Sequence, residues 1–130
     1  MNLAKVQAHL QSSVSELMAI YLFGSQARGE ADAASDVDLA VLERGQVDPL
    51  RVWELSGDLA DIVQRPVDLV DLRAASTVMQ YQIITKGQRL WSCGLDADIY
   101  ELFILGEKAK LDEARAGLIG DIRRGGRIDG

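Results

Sequence analysis

Residues 18–42 read MAIYLFGSQARGEADAASDVDLAVL. Met18 to Phe23 is an unbroken apolar run closed by Gly24, the mark of a short buried strand. Residues 24–35 are small, polar and charged and read mostly as loop, with a short helical turn open at Ala27–Arg28. Asp36 to Leu42 alternates at first and then turns apolar, which predicts a second strand with its acids at the start. Successive side chains on a strand point to opposite faces. Asp36 and Asp38 therefore share one face, roughly 6.5–7 Å apart along the strand, while Val37 and Leu39 take the other and enter the core.

The pattern continues outward on both sides. Leu3, Val6, Leu10, Val14 and Leu17 recur at three- and four-residue spacing and predict an amphipathic helix over about 2–17. Downstream, Asp48 is placed to cap a helix that Pro49 begins. Leu50, Trp53, Leu55, Leu59, Ile62 and Val63 mark its apolar face to about Gln64, and Pro66 halts it. VDLVDL at 67–72 is a third strand. Val78, Tyr81, Ile83 and Ile84 give a short helix ended by Gly87, and Gln88–Ser92 a short edge strand. A long helix follows over about 96–116, with Ile99, Leu102, Phe103, Leu105 and Leu111 expected inward. From Gly117 the chain is rich in Gly and Arg, and residues 117–130 read as a flexible or partner-dependent tail. The order of elements predicts an α+β fold, an α/β sandwich in which a small mixed β-sheet carries packed helices, with residues 1–130 as a single domain.

Composition narrows the function. A chain of 130 residues with 48% hydrophobic and 26% charged residues is an ordinary globular balance. The single cysteine, Cys93, excludes an internal disulfide and a cysteine-based zinc site, and makes a reducing, cytoplasmic setting the expectation. The net charge of −6 argues against a general nucleic-acid binder, which needs a basic face. That charge is uneven: residues 1–106 carry a net −7 and residues 107–130 a net +1. No apolar stretch is long enough for a membrane span, and the N-terminus lacks the apolar run of a signal peptide.

The chemistry concentrates in Gly24-Ser25, the ten residues after it, and Asp36-Val37-Asp38. Two carboxylates side by side on a strand repel, and a divalent cation removes that cost. Mg²⁺ takes a few carboxylates completed by substrate phosphates and water, and a pair of ions clamps the entering and leaving oxygens of a phosphoryl displacement. D-x-D alone also fits a solvated strand end. Gly24 lets the backbone approach a phosphate, and the Ser25 hydroxyl can bind its oxygens; no G-K-[ST] follows, so this is not a P-loop. Taken alone, the Gly-Ser pair fits an ordinary strand-ending turn. Arg28 fits a phosphate or a loop salt bridge to Glu30 or Asp32. A third acid is expected from the neighbouring strand. Asp68, set between apolar residues, is favoured over Asp71, which lies near the strand's end and points to the other face if the strand is regular.

GSQARGEADAASDVDLAV, with Gly24-Ser25, ten residues and Asp36-x-Asp38, resembles the signature of the DNA polymerase β-like nucleotidyltransferase superfamily. VDLV at 67–70 is similar to the strand carrying that family's third aspartate. The small size and the S-x-A-R-G-E wording resemble the minimal nucleotidyltransferases, antitoxins paired with HEPN-domain toxins. The resemblance covers about residues 18–72 in its motifs. It implies that Asp36 and Asp38 hold two Mg²⁺ ions, with Asp68 binding metal on the acceptor side and helping to deprotonate the acceptor hydroxyl. It implies that Gly24 and Ser25 hold the β- and γ-phosphates of ATP. The implied reaction moves AMP onto a tyrosine of a HEPN ribonuclease toxin and silences it. Two rivals stand beside it: an antitoxin that neutralises by contact alone, and a small-molecule nucleotidyltransferase of the antibiotic-modifying kind. All three acids argue against the first, and the short stretch after the third strand against the second.

The remaining candidates take plainer readings. His9 is expected on the surface or in packing, Cys93 in a structural role and Trp53 in the core. Trp91 lies beside the edge strand. Lys86 and Arg89 could reach a triphosphate but read more plainly as solvated loop charge, and Arg123, Arg124 and Arg127 as part of the tail.

Overall fold

The computed structural model describes residues 1–29 and 35–125. The elements run α1 (Leu3–Ser13), β1 (Leu17–Phe23), α2 (Gly24–Arg28), β2 (Val37–Glu43), α3 (Pro49–Val63), β3 (Val67–Asp71), a 3-10 turn (Leu72–Ala74), α4 (Thr77–Lys86), β4 (Gln88–Ser92) and α5 (Leu95–Gly125). The four strands lie in the order β3-β2-β1-β4. β1 is antiparallel to both neighbours, and β2 and β3 are parallel, joined by the α3 crossover that a parallel pair requires. The sheet is thus mixed, with helices on it, as the sequence predicts.

Strand parity decides which residues face which layer. Ile20, Leu22, Val37, Leu39 and Val41 pack with Val6 and Leu10 of α1 and with Leu55 and Leu59 of α3. The alternate residues Ala19, Tyr21, Ala40 and Leu42 pack with Ile83 of α4 and Ala97 of α5. Tyr21 keeps its hydroxyl satisfied in that second layer by donating to Glu101 Oε2 at 2.6 Å.

Several boundaries differ from the sequence expectation. α1 stops at Ser13 because Val14 is extended and Leu17 already pairs with Glu43 in the β1–β2 ladder. Residues 24–28 are helical rather than mostly loop. Asp48 does cap α3, its Oδ1 accepting from the Leu50 amide at 2.9 Å. That helix ends at Gln64, whose φ of 57° leaves the helical region before Pro66 is reached. α5 does not end near Ala116 but continues to Gly125.

The faces of two helices differ more. In α3 the buried positions are Leu55, Leu59 and Val63, and Trp53, expected in the core, is 73% exposed. In α5 the buried positions are Ala97 and Ile104, while Ile99, Leu102, Phe103 and Leu105 turn outward; Leu111 is half-buried. Both helices are apolar on more than one side. Periodicity shows that such a helix has an apolar stripe but not which stripe meets the sheet.

Gly87 sits where α4 gives way to β4 with an ordinary φ of −81°. A methyl group there would run into the Ile83 carbonyl oxygen and approach the Leu22 carbonyl oxygen at 2.9 Å. Both are backbone, so neither can swing aside. Gly87→Ala is expected to lower stability by about 1–3 kcal/mol, the cost of overpacking, measurable by urea unfolding.

Candidate functional site

The site forms where β1 ends, β2 begins and β3 runs beside it. Asp38 pairs with Phe23 across the antiparallel ladder and with Asp68 across the parallel one. Register partners in adjacent strands point the same way, so Asp38 and Asp68 share a face about 4.8 Å apart between strands. Asp36 lies two residues before Asp38 and is exposed, as is Asp68; Asp38 is half-buried. On the other face Val37 and Leu39 are fully buried, which anchors the strand beneath the acids.

Burial raises the Asp38 carboxyl above its usual range, the negative fields of Asp68 and Asp36 raise it further, and Arg28 partly offsets them. These four side chains therefore feel one another. As they stand, no three acidic, histidine or cysteine side chains among the described residues close on one metal position. The fold supplies the shared face and the register, and three hard oxygen donors suit Mg²⁺.

Gly24 completes the arrangement. Its φ is +69°, in the left-handed region, and a methyl group built on it would collide with the Asp38 carboxylate. The strand-ending glycine thus serves two needs: it turns the chain into α2 and leaves room beside the acid. Gly24→Ala is expected to cost about 1–2 kcal/mol from the left-handed backbone alone and to displace Asp38 as well. Thermal melts and activity should both fall.

A cavity of about 380 Å³ opens beside these residues, lined among others by Phe23, Gly24, Arg28, Met79, Gln82 and Lys86. Its size is that of a small-ligand site. Lys86 stands at its rim, exposed at the end of α4 rather than in a loop, where it could reach a triphosphate. No local signal marks it, because α4 and the β1–α2 turn meet only in the folded chain. Arg89 is elsewhere, paired with Asp98 at 2.8 Å and with Glu101 at 3.2 Å. Ser25 is half-buried in the first turn of α2. Glu30 and Asp32, the alternative partners of Arg28, lie outside the described residues.

Asp71, the rival third acid, points away from the trio and is only 7% exposed. Its Oδ2 accepts from the Val47 amide at 2.9 Å and its Oδ1 from the Arg73 amide at 3.2 Å, tying the start of the 3-10 turn to the loop before α3. His9 is distant from the acids in the fold as well, its Nε2 lying 3.0 Å from Asp58 Oδ2 between α1 and α3. Cys93 is exposed. The side chains of Arg123 and Arg124 and all of Arg127 lie outside the described structure.

Residues 4–93 match the Polymerase beta, Nucleotidyltransferase family. The chain belongs to that nucleotidyltransferase family. Its similarity to the protein adenylyltransferase MntA of Shewanella oneidensis is 36% identity over 122 residues, covering 94% of this chain and 88% of that protein. A solved toxin–antitoxin structure with AMP-PNP superposes with a TM-score of 0.84 at 36% identity, covering 95% of this chain and 99% of that one. A second, the tri-AMPylated Shewanella oneidensis HEPN toxin in complex with MNT antitoxin, gives 0.77 at 34% identity, covering 94% and 96%. The family match spans all four strands, and with them Gly24, Asp36, Asp38 and Asp68 of this nucleotidyltransferase.

Proposed function

We propose that this nucleotidyltransferase is an antitoxin that transfers AMP from ATP to a tyrosine of a cognate HEPN toxin. The observation that carries the proposal is the placement of Asp38 and Asp68 in register on one face, with Gly24 opening space beside Asp38. The likeness to an adenylyltransferase and to complexes with HEPN toxin and with AMP-PNP supports the substrate and the partner.

In this reading Asp36, Asp38 and Asp68 hold Mg²⁺. When bound, the ions compensate the charge that builds on the phosphates and on the entering oxygen. Gly24 and Ser25 receive the β- and γ-phosphates: the glycine lets the main chain come close, and the hydroxyl donates. The apolar wall of the cavity, Phe23, Val78, Met79 and Ile83, takes the base, and Arg28 and Lys86 face the triphosphate. Asp68 accepts the proton of the tyrosine hydroxyl. The phenolic oxygen bonds to the α-phosphorus, the bond to the β-bridging oxygen breaks, and pyrophosphate leaves. Everything here is positioning and charge compensation, the usual division of labour in phosphoryl transfer. Lys86→Ala is expected to weaken ATP binding by about 1 kcal/mol, about fivefold, for one partly solvated charge contact. Nucleotide titration measures it.

The partner surface is the outward face of α5. Leu95, Ile99, Leu102 and Phe103 are each more than half exposed and recur at helical spacing, an apolar stripe of the kind that marks a protein interface. Beyond it the helix continues to Gly125 and carries the mildly basic end of the chain. Residues 117–130 belong to this partner-dependent part of the single domain. Among the described residues no helix is long and apolar enough to cross a membrane. We place the activity in the cytoplasm, where a lone exposed thiol, Cys93, stays reduced.

The test is co-expression with the toxin and intact-mass measurement of it. A gain of one AMP or multiples, lost in Asp38→Asn, is expected. An unmodified toxin that is nevertheless neutralised would favour the contact-only antitoxin. Robust transfer to an aminoglycoside-type small molecule alone would favour the antibiotic-modifying reading.

A further inference from the structure

On the side of the acids away from the nucleotide cavity, a second groove of about 500 Å³ runs between α3 and the edge strand β3. Trp53 forms one wall, Ser56, Gly57 and Ala60 the floor, and Pro66 and Asp68 the far side. Trp53 is the most exposed of the large hydrophobic side chains in the described structure, at 73%. A methyl group on Gly57 would meet nothing within 4 Å, so the floor is open. Trp53, Ser56, Gly57 and Ala60 fall at i, i+3, i+4 and i+7, one face of the helix, so the tryptophan stands at the head of a row of small side chains. None of this supports the core: α3 buries Leu55, Leu59 and Val63 instead.

We propose that this groove is the bed for the tyrosine-bearing segment of the partner toxin, with the Trp53 indole as its specificity-determining contact. The inference rests on the nucleotidyl-transfer reading above and adds to it the acceptor's path. In-line displacement puts the entering and leaving oxygens on opposite sides of the α-phosphorus. Gly24 and Ser25, beyond the end of β1, take the leaving pyrophosphate. Asp38 on β2 lies between them and Asp68 on β3. The entering hydroxyl therefore comes from the β3 side of the α-phosphorus. The groove that Trp53 lines reaches Asp68 itself. A tyrosine laid along an indole and a small-residue floor packs its ring and leaves its hydroxyl directed at the acid end. Ser56, Gly57 and Ala60 admit a polypeptide segment as well as a ring, which a closed small-molecule pocket would not.

Steady-state transfer by the full chain to a cognate HEPN toxin, with toxin and ATP varied separately, tests the assignment. Trp53→Ala and Gly57→Gln are compared with wild type and with Asp38→Asn. Trp53→Ala is expected to raise KM for the toxin at least tenfold while KM for ATP stays within twofold. Gly57→Gln fills the floor with a better helix former. It should melt at the same or a higher temperature and still raise KM for the toxin, a combination that a merely structural role does not produce. Wild-type KM for the toxin in both variants, with transfer lost in Asp38→Asn, overturns the groove and leaves the transfer reading intact. Transfer that survives Asp38→Asn overturns the assignment of the acids, and no transfer to the toxin by wild type overturns the transfer reading itself. Self-association of the chain alone that Trp53→Ala abolishes would seat a second copy in the groove and overturn the assignment to the toxin.

Discussion

Asp38→Asn is expected to lower AMP transfer by about 10²–10³-fold or more, a loss of about 3–4 kcal/mol of charge compensation at the reacting phosphate. The fold should not suffer. Asp38 is the half-buried member of the trio, raised by burial and by the fields of Asp68 and Asp36. Its charged form is a cost to the metal-free protein. A carboxyl raised in the folded state binds its proton more tightly there than in the unfolded chain. Stability is therefore lost as pH rises through the window above its ordinary value. Removing the charge should raise the melting temperature at neutral pH with EDTA present, and the gain should shrink as pH falls toward 4. Thermal melts over that range, run beside transfer assays, check both halves. Unchanged activity in Asp38→Asn would sink the assignment of the acids.

Asp68→Asn should be as damaging as Asp38→Asn, again about 10²–10³-fold, with little change in stability because the side chain is exposed. Asp71→Asn should do the opposite. Its two oxygens accept from two separate backbone amides, and an Asn side chain has a single acceptor oxygen. One buried amide then loses its partner, at about 1–3 kcal/mol. Transfer per folded molecule should change little, since Asp71 faces away from the trio. The pair is a crossed test: urea unfolding reads one residue and transfer kinetics the other. If Asp71→Asn proves inactive while still folded, the third acid has been misassigned.

How the two aspartates of β3 part company shows what one sequence can settle. Period-2 alternation places Asp68 and Asp71 on opposite faces once the strand is regular, and β3 is regular from Val67 to Asp71. The face each meets comes from pairing with β2, and only the parallel register sets Asp68 beside Asp38. The same distinction holds for Asp36 and Asp38, whose shared face is local, and for Lys86 and Gly24, whose common cavity is not. Arg89 has as much charge and a nearby position in the chain, yet α5 folds over it and supplies Asp98 and Glu101.

The chain's own order settled the strands, the capped start of α3, the Gly24–Ser25 turn and the D-x-D face. Each depends on residues within a few positions of one another and on backbone periods that no tertiary contact changes. The outward stripe of α5, the exposure of Trp53 and the length of α1 were decided by tertiary structure alone. A helix with two apolar faces can bury either, and the choice belongs to what it meets: Ala97 packs into the layer on the sheet and Ile104 is buried, while Ile99 and Phe103 are left outside. Trp53 stays out because Leu55, Leu59 and Val63 already fill the α3 side of the core. α1 yields its last turn because residues from Leu17 onward gain a strand partner in β2, and the bonds of the ladder outweigh one more turn of helix.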